Sequence, residues 1–149
     1  MSLREAFELG LGNIFGSYSG IITSLGLILG MYGGKLDKRA YIIGLLSLSM
    51  SDSFSDAFGI YNATDKNWNH ALNAFISKFT YPLLMMIPFF LLAIKKAVFI
   101  NLLFGTIIIA NVSYKLTGSI QGMIQNLLIT WFVIILIFIL SGFIEKIKI

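Results

Sequence analysis

The chain has 149 residues, of which 57% are hydrophobic and only 12% charged, with a mean hydropathy of +0.86. A soluble domain carries roughly 25% charged residues, so the polar surface available here is too small to keep a domain of this size in water. Cys is absent, which excludes disulfides and thiolate metal sites. The net charge of +4 comes from Lys and Arg gathered at segment ends, the pattern of membrane boundaries rather than of a nucleic-acid interface.

The length fits one domain. The first dozen residues lack a charged-then-apolar signal pattern, so the mature chain is expected to begin at Met1. A bilayer-spanning helix needs about 20 mostly apolar residues, and five stretches meet that requirement. The first covers residues 13–33 and is rich in glycine. Its pairs Gly16/Gly20 and Gly26/Gly30 have the small-xxx-small spacing of closely packed membrane helices, which points to a homodimer with this helix at or near the interface. Gly33 and Gly34 are placed to end it.

The second span covers residues 40–61, and a polar loop then leads to the third, residues 71–94, which Lys78, Pro82 and Pro88 interrupt. Lys95 and Lys96 form the next boundary, before a fourth span at 97–114 and a fifth at 124–144. The expected class is an all-α integral membrane protein: one multi-pass domain of five transmembrane helices, residing in the cell membrane. An odd number of spans puts the two ends on opposite sides. Four basic residues fall on the N-terminal side (Arg4, Lys66, Lys78, Lys115) and seven on the other, which by the positive-inside rule favours an external N-terminus.

The chemistry is concentrated in the second span. Asp52 and Asp56 lie one turn apart, and four helical residues rotate about 400°, so the two carboxylates share a stripe with Ser49, Ser53 and Gly59 nearby. An acidic residue at mid-bilayer costs about 2.5–3.5 kcal/mol. Two of them among several serines imply an ion path, because carboxylate and hydroxyl oxygens suit magnesium, calcium, manganese and ferrous ions. The structural alternative is an ion pair with a buried cation. Lys78 is the candidate, at matched depth on the third span, unless its long side chain snorkels to the headgroups.

Other polar residues read more plainly. His70, with Asp65 as its nearest acid, is expected in a solvated loop. Met85 and Met86 read as apolar filler, and Asn111 and Ser113 as hydrogen-bonding between helices. Tyr61, Trp68 and Tyr114 read as interfacial aromatics. No nucleophile–base pair, phosphate loop or metalloprotease motif is present, so neither enzymatic activity nor a bound cofactor is expected.

Four segments resemble the vacuolar iron transporter family. The run from Ser19 to Gly30, Ser-Gly-Ile-Ile-Thr-Ser-Leu-Gly-Leu-Ile-Leu-Gly, is similar to its first-helix signature Asp-Gly-Ile-Ile-Thr-Thr. Met50 to Tyr61 resembles its second-helix motif, and the third span, with Ile87-Pro88-Phe89-Phe90-Leu91, its third helix. Lys115-Leu116-Thr117-Gly118 resembles its turn between helices four and five. The resemblance implies a five-helix homodimer that moves ferrous iron or manganese, often by proton exchange, along a path near the dimer axis lined by the first two helices. It also implies a cytosolic N-terminus, against the charge count.

Position by position, the family's second-helix Asp falls on Asp52. Its first-helix Asp is Ser19 here, its second-helix Met is Asp56, and its Glu before Tyr61 is Ile60. The long Glu-rich domain of larger members is missing, with only residues 62–70 in its place. The expectation is a short member that passes a divalent metal, with Asp52 and Asp56 as ligands and Ser19, Ser49, Ser53 and Lys78 along the path. The alternatives are a carrier of another cation and a non-transporting membrane scaffold.

Overall fold

The computed structural model describes residues 3–64 and 66–147, with first-helix side chains described from residue 13 onward, Phe15 excepted. Arg4, Asp65 and Lys148 therefore lie outside the described side chains. Five α-helices follow one another: α1 (Leu3–Gly33), α2 (Lys38–Ala63), α3 (Trp68–Leu91), α4 (Ile94–Thr117) and α5 (Ile120–Glu145). No strand occurs among the described residues.

The helices match the five expected stretches in order, but all five extend beyond them at one or both ends. Local capping, which hydropathy does not register, accounts for several of these limits. The Asp37 carboxylate accepts from the Ala40 N–H and starts α2, and Asn67 does the same for α3 through the Asn69 N–H. That earlier start carries His70 into the first turn of α3, where it is buried rather than solvated. At the other end of α3, Leu92 and Ala93 are extended, so α4 begins at Ile94, three residues before its expected start. Gly118 ends α4 in the left-handed conformation (φ 63°), which glycine adopts without a Cβ clash. After α1 the left-handed residue is Lys35 (φ 54°), not one of the two preceding glycines.

α1 is the central helix. It packs against all four others, and none of its described residues from Gly16 to Gly34 is exposed. Its glycines permit this. A Cβ on Gly16 would lie 2.8 Å from the Ala74 carbonyl oxygen of α3, and one on Gly33 would lie 2.5 Å from the Phe138 carbonyl oxygen of α5. Gly26 and Gly30 rest on Ile137. The small-residue spacing thus serves packing inside one chain, and the inference of a dimer contact from these glycines loses its basis. Around α1 the core gathers Ile21, Leu25, Ile28, Leu45, Ile109 and Ile134, and Tyr41 stacks on Phe89 with ring centroids 4.6 Å apart.

The outer surface is apolar. α3, α4 and α5 are each long and apolar enough to cross a membrane, and the best window of α5 has mean hydropathy 2.9 with only 11% of it buried. A helix apolar on every side belongs in a lipid environment or inside a much larger core. Here Leu128, Phe132, Ile139 and Phe143 all face outward, so the chain is membrane-embedded.

The glycine contacts can be tested at a single interface. Gly33→Ala should lower stability by about 1–3 kcal/mol through overpacking. At Gly142, whose added Cβ would sit at an ordinary 3.6 Å from the Gly33 carbonyl, Ala should be neutral or stabilising by about 0.5–1 kcal/mol. Thermal unfolding in detergent, followed by circular dichroism, measures both; equal behaviour of the two variants would refute the packing account.

Candidate functional site

Serine and aspartate are poor helix formers, and α2 is held in place by its neighbours. Its buried stripe is Tyr41, Leu45, Ser49 and Ser53, at four-residue intervals. Phe54, between the two acids, packs on Phe75 (4.9 Å) and Tyr61 on Trp68 (4.5 Å), tying the second half of α2 to the first half of α3.

At the centre of this contact lies Lys78 of α3, with only 3% of its side chain exposed. It does not snorkel. Its ammonium pairs with both acids of α2, lying 2.9 Å from Asp52 Oδ2 and donating a short hydrogen bond to Asp56 Oδ2. Lys78 thus meets both acids rather than one, because residues four apart share one face of the helix. Asp52 Oδ2 is buried and meets the ammonium without hydrogen-bond alignment.

Two features outside α2 create the space for this lysine. Gly20 of α1 lies against it, and a Cβ there would come within 3.2 Å of Lys78 Cα and 3.3 Å of its Cγ. Pro82, one turn on, lacks the N–H that would bond the Lys78 carbonyl, and this carbonyl oxygen is 3.2 Å from the same Gly20 position. α3 nonetheless runs unbroken through Pro82 and Pro88.

Two acids share the one lysine in this cluster. The carboxylates are covered by Lys78 on one side but keep 27% and 24% exposure at Asp52 and Asp56. Gly59, on the same face one turn beyond Asp56, has no atom within 4 Å of where its Cβ would be. The acids therefore keep a partly exposed side near an unfilled stretch of α2. Ser53 is fully buried, and its hydroxyl has no hydrogen-bond partner, leaving an oxygen free to act as ligand. Ser49 is also buried but spends its hydroxyl on the Leu46 carbonyl. Ser19 is half-buried, its carbonyl accepting from Thr23, and among the described residues its side chain bonds to none of the acids. The structure thus joins Asp52, Asp56 and Lys78, with Ser53 next to Asp52 in sequence but unbonded, and Ser19 and Ser49 also outside the bonded group.

Among the described residues no group of three or more His, Cys, Asp or Glu is gathered, so the described part of this site offers two carboxylates. Asn111 bonds to the Ile107 carbonyl of its own helix rather than across helices, and the Ser113 hydroxyl is buried without a partner. The interhelical amide is instead Asn101, buried in α4 and donating to the Met85 carbonyl of α3. Its sequence context, a lone Asn in an apolar run, signals burial but not which helix it meets. Compared with known protein families, curated proteins and solved structures, the chain matches none.

Removing one partner of a buried ion pair leaves an uncompensated charge at a cost of about 3–5 kcal/mol. With the carboxylates a quarter exposed, Lys78→Met should destabilise the protein by about 3 kcal/mol, the low end of that range. Neutralising the acids as well (Lys78→Met with Asp52→Asn and Asp56→Asn) should restore most of the loss. Denaturation midpoints in detergent check this, and a Lys78→Met protein as stable as the parent would show that the charges are not coupled.

Proposed function

We propose that this protein crosses the membrane five times, forms a homodimer, and carries a divalent transition-metal ion, ferrous iron or manganese, past Asp52 and Asp56. The observation that carries the reading is a cation already seated in the site. The Lys78 ammonium bridges two carboxylates that remain partly exposed, and Ser53, next to Asp52 in sequence, has a buried hydroxyl without a hydrogen-bond partner. An arriving metal ion would compete with the ammonium for the same oxygens. Carboxylate and hydroxyl donors suit hard or borderline divalent ions, and the same carboxylates would exchange protons for the metal.

The resemblance to the vacuolar iron transporter family supports the choice of metal, and the replacement of its Met by Asp56 makes this site harder. α1 and α2 are the less apolar helices because of glycine, serine and the two acids; both are long enough to span, at about 1.5 Å per residue. The homodimer would meet through α2 rather than α1. Ser47, Ser51, Ser55 and Gly59 are all exposed on α2, a small-residue stripe suited to close approach, and a second copy would bring further carboxylates to the open side of the site.

A scaffold reading draws on the same ion pair, because a lysine satisfied by two acids is also a device for holding α2 to α3. Uptake of radiolabelled manganese and iron into proteoliposomes separates the two. The parent should transport above empty vesicles. Asp52→Asn and Asp56→Asn each leave Lys78 one counter-ion, so each should fold and lose flux by about tenfold or more. Lys78→Gln should tighten manganese binding, by about tenfold for each 1.4 kcal/mol no longer spent on displacing the ammonium. Flux at the empty-vesicle level for the parent, or undiminished flux in both Asn variants, would leave the scaffold.

A further inference from the structure

A second site lies at the opposite end of α2 from the Tyr61–Trp68 pair, where α1 and α5 end and α2 and α4 begin. A cavity of about 760 Å³ opens there, and its basic lining comes from Lys35, Lys95 and Lys146. Lys35 is partnered by Glu145 at 3.1 Å. Lys95 and Lys146 have no carboxylate partner among the described residues, and Lys38, Arg39 and Lys96 stand at the same end. Six described basic residues therefore meet two acids, Asp37 and Glu145, and Asp37 is engaged as the cap of α2. Tyr41 also lines the cavity. It is fully buried, and its hydroxyl has no hydrogen-bond partner. The rest of the lining is largely apolar, and on one side Ile139 and Phe143 continue into the outer surface of α5.

We propose that this cavity binds an anionic phospholipid, its phosphate held by Lys95 and Lys146 and its acyl chains lying along α5. The inference rests on the chain being membrane-embedded and is independent of ion transport. The ends of membrane helices sit at headgroup depth, and a basic pocket between helices there attracts anionic headgroups. A free phosphate would satisfy the lysines yet leave the apolar lining that runs on through Ile139 and Phe143 unmatched. A zwitterionic lipid would cover those residues without neutralising the charge. An anionic lipid does both. The second cavity, of about 300 Å³ between α2 and α3, is lined without any charged residue and offers no such pairing.

Native mass spectrometry of the full chain, released from mixed micelles with phosphatidylglycerol or phosphatidylcholine of identical acyl chains, tests the proposal. The parent should retain phosphatidylglycerol roughly thirtyfold more strongly, the equivalent of about 1 kcal/mol for each of two lysines near an anionic group. Lys95→Gln with Lys146→Gln should remove that preference. Lys66→Gln with Lys115→Gln, at the other end, should keep it. Should the first variant fail to fold, salt decides: high ionic strength should release phosphatidylglycerol from the parent while leaving phosphatidylcholine unaffected. Equal retention of the two lipids, a preference that survives loss of both lysines or high salt, or displacement of phosphatidylglycerol by inorganic phosphate would each overturn the proposal, the last by showing a soluble-anion site.

Discussion

The structure turns on one buried ammonium. Burying a lysine in an apolar bundle is unfavourable unless its charge is matched, and Lys78 is matched by two acids that would themselves be costly in apolar surroundings. Each of the three residues is tolerated because of the others, and their register sets how α3 lies on α2. The requirement reaches α1 as well, since a Cβ at position 20 would press within 3.2 Å of the Lys78 backbone and 3.3 Å of its stem. Three helices are thereby committed to one arrangement by a single set of charges, with aromatic pairs extending the α2–α3 contact toward the loop.

Two acids share one ammonium, and the part of them it leaves uncovered faces outward. A closed structural ion pair would be expected to neutralise itself and to be covered. Here the acids keep about a quarter of their surface exposed, beside an unfilled position at Gly59. In a lipid environment such a surface calls for water, a cation or a second protein. The cluster is therefore asymmetric, covered by a lysine on one side and partly exposed on the other.

The glycines of α1 illustrate how a spacing can be read correctly for its physics and wrongly for its partner. Small residues four apart do mark close helix contact. The contacts are with α3 at Gly16 and Gly20 and with α5 at Gly26, Gly30 and Gly33, all within one chain. With α1 enclosed on every side, the faces left for a partner are those of the outer helices. Among these α2 is the one whose exposed surface carries small polar residues, whereas α5 presents apolar side chains suited to lipid.

Composition and hydropathy by themselves determined that the chain is helical and apolar outside, and roughly where each helix runs, because apolar length is a local property of the chain. The one-turn spacing of Asp52 and Asp56 likewise determined that they share a face. Helix limits were legible only in part: Asp37 and Asn67 are recognisable caps, but the extended Leu92–Ala93 break and the left-handed Lys35 arise from how neighbouring helices are joined. Only the tertiary structure decided that Lys78 meets both acids, that His70 is buried, that Asn101 rather than Asn111 bonds across helices, and that α1 is the centre. Each of these depends on which helix lies beside which and at what rotation, and in an evenly apolar chain no polar face announces that choice. The packing of glycine against backbone and of lysine against carboxylate makes it instead.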